Sequence, residues 1–235
     1  IFAANHQNAL MDALLLICSA SKQIVFFARA DMFKNRFMAK FLMFFKIAPI
    51  YRIKDGIERL QLNHHSFSIA SSVLASGNCI GIFPEGQHND AEFLLSLKKG
   101  LSRIAFQVEA ENNFNLNVHV VPVGISYSDY FKPRKEVVIQ FCKAILLSSY
   151  RDTYLSNPTK AYKNFSSDLS NSIKQKIIHI PDKDDYALIQ DIRKLMIEEY
   201  KISSYFENIE FSKKLIEKLM LLKLNETEKY KELID

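Results

Sequence analysis

Cysteine is scarce in this sequence, which has three cysteines among its 235 residues. Cys18, Cys79 and Cys142 lie far apart, and each lies within an apolar stretch. This spacing provides no framework of disulfides and is typical of buried thiols in a reducing compartment. A disulfide-stabilised secreted domain is therefore excluded, and we expect a globular protein that faces the cytosol.

Long hydrophobic runs are also absent. No apolar stretch reaches the length of about 18 residues that crosses a bilayer, and no signal peptide is visible. The hydrophobic share of 48% is ordinary, and the length allows one or two domains with a sizeable core. The sequence begins at Ile1, without a methionine and inside an apolar run, so we expect a fragment whose upstream part could hold a membrane anchor.

The sequence also has no basic stripe and no recognition motif for nucleic acid, so nucleic acid is not an expected partner. The net charge of +5 is moderate. It is compatible with contact to anionic lipid or to an anionic substrate and does not distinguish the two.

What the sequence does contain is an alternation of strand patterns and helical patterns. This order predicts an α/β fold over residues 1–150, with a central mixed, largely parallel sheet flanked by helices. The predicted strands are 1–4, 24–30, 49–52, 79–83, 118–126 and 136–142. The predicted helices are 9–19, 33–45, 57–75 and 99–110, of which the third ends at a Gly77 cap.

From about Asn157 onward the strand patterns stop. Amphipathic patterns predict helices at 159–180, 183–201 and 209–223. We interpret residues 157–235 as a C-terminal helical extension. The sequence does not decide whether this extension packs against the core, caps a cleft, dimerises or binds a partner, and packing is the favoured role.

Two titratable residues lie close together in the segment NHQNALMD. His6 and Asp12 follow the apolar run IFAA and precede the apolar run ALLLIC, at a predicted strand-to-helix junction. Side chains at this end of an α/β sheet often do chemistry. A neutral imidazole can accept a proton from an alcohol at ordinary pH when a carboxylate fixes its tautomer. The alternative interpretation is an Asn-His turn followed by a helix-capping aspartate.

A second segment, CIGIFPEGQHND, predicts a short buried strand from Cys79 to Phe83. Pro84 ends the strand, and a polar loop opens through Glu85 and Gly86. A carboxylate beside a glycine at the end of a strand suits a binding loop. The same letters are also a common turn sequence, so this segment alone does not decide between a site and a turn.

Four segments occur in order along the chain, each beside a predicted strand. They are the NH…D segment at 5–12, PIYR at 49–52, FPEG at 83–86 and VVPVG at 120–124. In this order and spacing they resemble the motifs of the glycerolipid acyltransferase family, which contains bacterial lysophosphatidic acid acyltransferases. The resemblance covers roughly the first 145 residues and implies the glycerol-3-phosphate acyltransferase type of α/β fold.

The resemblance also implies roles for individual residues. His6 is the implied base that removes a proton from the acceptor hydroxyl, and Asp12 orients it. Arg52 is implied to hold the acceptor's phosphate, for which a planar guanidinium is suited. The implied substrate-binding residues are Asn5, Arg52, Phe83, Pro84, Glu85, Gly86, Gln87, His88, Val121 and Pro122. From the residues alone, VVPVG reads as a central buried strand.

The activity implied by the resemblance is the transfer of a fatty acyl group from an acyl thioester to the hydroxyl of a lysophospholipid. The donor is acyl-CoA or acyl-carrier protein, and the acceptor is 1-acylglycerol 3-phosphate, in membrane phospholipid synthesis. The hydroxyl attacks the thioester carbon directly, without a covalent acyl-enzyme. No metal and no cofactor beyond the acyl donor are expected.

The sequence departs from the family's pattern in two places. The family's first motif has four residues between histidine and aspartate, whereas five residues separate His6 from Asp12. The third motif is usually FPEGTR, whereas here Gln87 and His88 take the last two places and the arginine is missing. Lys98 and Lys99 lie downstream and could supply the lost charge. These departures favour one alternative, an inactive lipid-binding protein with the same fold.

A second alternative is a metal-dependent hydrolase, because imidazole and carboxylate are ordinary zinc ligands. Its candidate ligands are His6, Asp12, Glu85, His88 and His119. Their spacing matches no metal signature.

The segment DMFKNRFMAKFLMFFKIAP combines aromatic residues with positive charge. Its aromatic residues at helical spacing are Phe33, Phe37, Phe41 and Phe44, and its basic residues are Lys34, Arg36, Lys40 and Lys46. This pattern favours a helix on the surface of anionic lipid, and a core helix with snorkelling lysines explains it equally well. With the implied activity, we expect the protein at the cytoplasmic side of the cell membrane, peripheral or anchored by a segment absent from this chain.

Overall fold

The computed structural model describes residues 1–50, 63–130, 132, 134–226 and 230. The strands are β1 (Phe2–Ala4), β2 (Ile24–Arg29), β3 (Ile47–Ile50), β4 (Cys79–Ile82), β5 (His119–Tyr127), β6 (Val137–Phe141) and β7 (Ile145–Leu146). The helices are α1 (Ala9–Ser19), α2 (Arg36–Phe44), α3 (Asn63–Ala75), α4 (Gly100–Glu111), α5 (Arg151–Ser156), α6 (Pro158–Lys174), α7 (Tyr186–Glu199) and α8 (Tyr205–Asn225). Single turns of 3-10 helix lie at Ala30–Phe33 and Leu147–Tyr150.

The strands form one mixed sheet in the order β3-β2-β4-β1-β5-β6, and β7 pairs with β5. The pairs among β1 to β5 are parallel, whereas β6 and β7 run antiparallel to β5. The predicted fold class, a largely parallel sheet flanked by helices, is confirmed. Strand β1 lies between β4 and β5, and the side chains of Ala3 and Ala4 are fully buried there.

Helices cover both faces of the sheet. Successive strand residues point to opposite faces, so Ala3 and Val25 belong to one core cluster while Ala4 and Phe26 belong to another. The first cluster contains residues of α3, α4 and α6, and the second contains residues of α1 and α2. A sheet buried on both faces requires strands that are apolar throughout, which explains the continuous run IVFFA.

The C-terminal helices do not all lie outside the sheet's core. Helix α6 buries Phe165 and Leu169 in the first core cluster, against one face of the sheet. The first helix of the predicted extension is therefore a layer of the α/β core. Helices α7 and α8 form a separate cluster through Ile189, Ile209 and Ile216. The domain bounds at 150 and 157 stay a prediction.

Most predicted elements are present with shifts of a few residues. Helix α1 has its predicted bounds, and Gly77 follows α3 with a φ of +71°. Strand β3 begins at residue 47 rather than 49, and residues 51–62, which include part of the predicted helix 57–75, lie outside the described residues. The sequence did not predict β7 or α5, since both are too short to show a periodic pattern. None of the described helices has the length and apolar character that a membrane span needs.

Candidate active site

The candidate site lies at the carboxyl ends of β4, β1 and β5, which are neighbouring parallel strands. His6 follows β1, Phe83 follows β4 and Tyr127 ends β5. Parallel strands bring the residues after their carboxyl ends to one edge of a sheet, where α/β proteins bind their ligands. The first and third of the four motifs therefore lie close together in space.

His6 and Asp12 are in direct contact. The Nδ1 atom of His6 lies 2.9 Å from Oδ2 of Asp12. The Asp12 side chain is fully buried, whereas 17% of the His6 side chain is exposed. When Nδ1–H donates to the carboxylate, the Nε2 atom keeps a free lone pair. The pair thus has the arrangement of a general base with an orienting carboxylate.

The chain between His6 and Asp12, which is one residue longer than in the family's motif, forms a turn at the start of α1. The backbone N–H of Met11 donates to the carbonyl of Asn8 at 2.8 Å, and Ala9 has a φ of +36°, a left-handed conformation that is unfavourable for alanine. The extra residue is therefore accommodated by a strained turn, and the departure from the family's spacing does not separate the pair.

Asp12 also accepts hydrogen bonds from the chain before the helix. Its Oδ2 atom accepts the backbone N–H of Gln7 and of Asn8, each at 2.8 Å. A carboxylate that reaches back to N–H groups before a helix resembles the glutamate of a capping box. The two interpretations of Asp12, a helix cap and a partner of histidine, therefore describe the same side chain.

Tyr127 completes the surroundings of Asp12. Its hydroxyl donates to Oδ1 of Asp12 at 2.6 Å. Burial, followed by the hydrogen bond to Asp12, raises the pKa of Tyr127 well above its usual range, so the hydroxyl keeps the proton that it donates. Sequence reasoning missed this residue, because an aromatic residue in an apolar strand carries no sign of a polar contact 115 residues away.

The side chain of Glu85 accepts hydrogen bonds from two separate backbone segments. Its carboxylate accepts the N–H of His6 at 2.7 Å and the N–H of Leu95 at 2.8 Å. The side chain is buried, and this burial raises the pKa of the Glu85 carboxyl while the backbone hydrogen bonds lower it. These contacts position His6, which is a different role from the implied contact with the acceptor. The acceptor contact stays a prediction.

The end of β4 and the loop that follows it contact the imidazole ring and the backbone carbonyl of His6. The ring of Phe83 stacks on the imidazole with a centroid distance of 4.2 Å and an interplanar angle of 16°. The N–H of Asn89 donates to the carbonyl of His6 at 2.9 Å. His88, an exposed residue, has its ring centroid 6.2 Å from that of His6. Sequence reasoning did not identify Asn89 or Leu95, since their backbone N–H groups leave no signature in the sequence.

The remaining residues of the third motif form the turn of the loop. The carbonyl of Pro84, which is buried, accepts the N–H of Lys98 at 2.7 Å. Gly86 has a φ of +69° and, like Gln87, is exposed. A Cβ atom on Gly86 would lie 3.4 Å from Cγ of Lys98, so the lysine side chain runs along this turn.

Asn5 makes a buried contact with the backbone of β5, and its implied contact with substrate stays a prediction. Its side-chain amide donates to the carbonyl of Ile125 at 2.9 Å and accepts the N–H of Ile125 at 2.7 Å. Asn5 therefore extends the pairing of β1 with β5 beyond the last residue of β1. The buried amide fixes the backbone next to His6.

Two predicted residues lie inside the sheet, and one is not described. Val121 is half-buried against the core, and Pro122 is buried opposite Ala3 in β5. The interpretation of VVPVG as a buried central strand is confirmed, and the implied contact of Val121 and Pro122 with substrate stays a prediction. Arg52 lies outside the described residues.

The five candidate metal ligands do not form one group, because His119 lies apart from His6, Asp12, Glu85 and His88. His119 begins β5 and His6 follows the parallel strand β1, so they lie at opposite edges of the sheet. Across the described residues, no three His, Cys, Asp or Glu side chains are grouped in a way that could hold a metal ion. The arrangement gives no support to the metal-hydrolase alternative.

Comparison with known proteins identifies the class. A model of the Acyltransferase family matches residues 1–126, more than half of the chain, and the chain belongs to this family. Glycerol-3-phosphate O-acyltransferase 2 of Saccharomyces cerevisiae is 29% identical over 134 residues, which are 57% of this chain and 18% of that protein. Glycerol-3-phosphate O-acyltransferase 1 of the same yeast is 30% identical over 130 residues, with shares of 54% and 17%.

The match to these yeast proteins is therefore confined to part of each, since the chain spans less than a fifth of their length. Among solved structures, the 1-acyl-sn-glycerophosphate (LPA) acyltransferase PlsC from Thermotoga maritima is similar with a TM-score of 0.47 and 16% identity. That similarity covers 74% of this chain and 64% of the other. The family predicted from the four motifs is confirmed by the family match.

Proposed function

We propose that this chain carries the acyl-transfer centre of a glycerolipid O-acyltransferase. The reaction moves a fatty acyl group from an acyl thioester to the hydroxyl of a glycerophosphate acceptor. The observation that carries the proposal is the contact between Nδ1 of His6 and the carboxylate of Asp12 at the edge of the sheet.

In the proposed mechanism, Nε2 of His6 takes the proton of the acceptor hydroxyl as its oxygen attacks the thioester carbon. The C–S bond then breaks, and the leaving thiolate takes the proton back from the imidazolium. Asp12 stabilises the imidazolium while it exists. General-base assistance contributes about 10² to 10⁴ in rate, and alignment of the two substrates must supply much of the remainder.

The acceptor that we propose is 1-acylglycerol 3-phosphate, with acyl-CoA or acyl-carrier protein as the donor. The names of the two yeast relatives favour glycerol 3-phosphate as a second candidate acceptor. Both acceptors present a phosphate, which a cation near the site would stabilise. Lys98 runs along the turn at Gly86, and we propose that it replaces, together with Lys99, the arginine that is missing from the third motif.

The test is a transfer assay on the 235-residue chain with acyl-CoA and acyl-carrier protein as donors and a panel of lysophospholipids and glycerol 3-phosphate as acceptors. Release of free thiol should require an acceptor, and His6→Ala should lower kcat by about 10² to 10⁴. His119→Ala, which removes an exposed histidine at the opposite edge of the sheet, should retain wild-type kcat.

Two results would contradict the proposal. One is a His6→Ala protein that is as active as the wild type. The other is a wild-type chain that binds lysophospholipid without consuming any thioester, which would support the inactive lipid-binding alternative.

We also propose that α2 contacts an anionic membrane surface. The helix rests on the core through Leu42, while Phe37 and Phe44 are 79% and 78% exposed. A core helix would bury both rings. The basic residues of this segment, Lys34, Arg36, Lys40 and Lys46, are all exposed. Exposed aromatic rings among basic residues are typical of a helix at the surface of anionic lipid.

Flotation with vesicles tests this surface. The wild type should float with vesicles that contain phosphatidylglycerol, and the double variant Phe37→Ser/Phe44→Ser should bind them at least about tenfold more weakly, because burial of each ring is lost. Leu155→Ser/Leu224→Ser, which removes two exposed leucines elsewhere, is the matched control and should float like the wild type. Absence of binding by the wild type, with and without anionic lipid, overturns this proposal.

A further inference from the structure

The loop that holds His6 is itself held by the C-terminal part of the chain. We define the site loop as residues 83–95. On one side, its Glu85 and Asn89 bind the backbone N–H and carbonyl of His6. Leu95 donates its N–H to the other carboxylate oxygen of Glu85. The position of His6 therefore depends on the position of this loop.

Glu92 is the main point of contact between the site loop and the C-terminal region. Its carbonyl accepts the N–H of Ile180 at 2.8 Å, and its N–H donates to the hydroxyl of Tyr186 at 2.8 Å. Its carboxylate accepts hydrogen bonds from both terminal nitrogens of Arg193 and one from Gln190 at 3.0 Å. The ion pair is largely buried, and a bidentate pair of this kind has a strongly preferred geometry.

The two residues after Glu92 are held in the same way. The ring of Phe93 meets the edge of Tyr186 at a centroid distance of 6.4 Å. The N–H of Leu94 donates to Nδ1 of His179 at 3.1 Å. Three consecutive residues of the site loop thus have partners in the segment 179–193, directly before the N–H of Leu95 that holds Glu85.

A second connection reaches Asp12. Tyr205, the first residue of α8, donates its hydroxyl to the carbonyl of Tyr127 at 2.6 Å. Tyr127 in turn donates its own hydroxyl to Asp12. Asp12 is therefore connected through Tyr127, and His6 through the site loop, to helices that lie beyond residues 1–126, the part of the chain matched by the family.

We propose that Glu92 and Arg193 are a positioning pair through which α7 holds the site loop and thereby fixes the His6 imidazole for proton transfer. The effect on turnover rests on the proposed function. The fixed orientation of the imidazole does not, so it can be measured without any substrate. A C-terminal region that only packs would change stability and leave both the imidazole and the kcat of the folded protein unchanged.

The test compares variants of the 235-residue chain. Glu92→Gln removes the charge that Arg193 pairs with, and Arg193→Lys is the conservative partner variant that should be less severe. Because Glu92→Gln leaves a buried guanidinium without its charged partner and could prevent folding, Tyr186→Phe is the second variant. It removes the hydroxyl that accepts hydrogen bonds from the Glu92 N–H and from Gln190, and it leaves the ion pair in place. Tyr150→Phe, which removes a tyrosine hydroxyl bound to Asp168, is the matched control.

The first readout is the ¹⁵N NMR spectrum of the His6 ring at a pH where it is neutral. The wild type should show two well-separated ring nitrogen signals, as expected for one tautomer with a protonated Nδ1. In Glu92→Gln and Tyr186→Phe these signals should move towards each other. The second readout is kinetic: kcat should fall by about 10-fold to 100-fold in Glu92→Gln and less in Tyr186→Phe, with the acceptor KM within about twofold.

The outcomes separate the two proposals. Unchanged His6 signals in folded Tyr186→Phe and Glu92→Gln overturn the positioning role, and so does a loss of kcat without a change in these signals. A wild-type chain that transfers no acyl group would overturn the proposed function, while the His6 signals of the variants would still decide whether the pair positions the imidazole.

Discussion

Replacing Asp12 with asparagine removes the negative charge next to His6 while it preserves the hydrogen-bond geometry of the pair. In the structure, Oδ2 of Asp12 accepts from the His6 ring and from the N–H groups of Gln7 and Asn8, and Oδ1 accepts from Tyr127. Asparagine can direct its carbonyl oxygen to the first three donors and its NH₂ group to the hydroxyl oxygen of Tyr127, which can accept. We therefore expect the same geometry without the negative charge.

The magnitude follows from the distance between the two groups. At 2.9 Å and an effective dielectric constant of about 20, an imidazolium and a carboxylate attract each other by about 6 kcal/mol. This attraction exists only after His6 has taken the proton, so it stabilises the transition state more than the ground state. Since the His6 side chain is partly exposed, solvent weakens the attraction, and we expect kcat to fall by about 10³ to 10⁴.

The assay is release of free thiol at saturating acceptor, with urea unfolding to establish that the variant is folded. Asp191→Asn is the matched control, because Asp191 forms an exposed pair with Lys194 on α7 and should be replaceable without loss of kcat. A folded Asp12→Asn protein whose kcat lies within tenfold of the wild type would refute the electrostatic role of Asp12.

Three further predictions concern stability, each measured by chemical denaturation. Ala9→Gly should raise the free energy of unfolding by about 0.5 to 1 kcal/mol, because glycine adopts a φ of +36° without the cost that alanine has; a less stable variant would contradict the strain. Gly81→Ala should lower it by about 1 to 3 kcal/mol, since the added Cβ would lie 2.3 Å from the ring of Phe26, and an unchanged value would refute this. Burial lowers the pKa of His179 from 6.5 to about 4. Between these two values the unfolded chain binds a proton at His179 more readily than the folded chain does. The free energy of unfolding should therefore fall as the pH is lowered from about 6.5 to about 4. Allowing for solvent screening, this loss is about 2 kcal/mol, and His179→Asn, which keeps an acceptor for Leu94 but does not titrate, should flatten that part of the pH profile.

The main elements of the sheet and the proximity of His6 to Asp12 could be predicted because their signals are local. Strand β1 and helix α1 are adjacent in the sequence, so His6 and Asp12 had to lie near one another at the junction. Whether they touch was a different question. The contact depends on the positive φ of Ala9, and no sequence pattern indicates that conformation for an alanine.

The surroundings of the dyad could not be predicted, because they depend on contacts between distant parts of the chain. Glu85 resembles a substrate-binding carboxylate in the sequence, yet its partners are backbone N–H groups, and every residue except proline has one. Asn5 similarly binds the backbone of Ile125. Side-chain identity alone therefore did not reveal that these two residues hold the backbone beside His6, and their contact with substrate stays a prediction.

The sequence by itself determined the family, the order of strands and helices, and the base and carboxylate that the proposed reaction uses, since motif spacing and hydrophobic periodicity are properties of neighbouring residues. Only the tertiary structure decided which groups hold His6 and Asp12 in place, including Tyr127 and the pair of Glu92 with Arg193. The physical reason is that a buried polar group needs a hydrogen-bond partner, and this partner can come from any part of the folded chain. Here the partners are about a hundred positions away in the sequence.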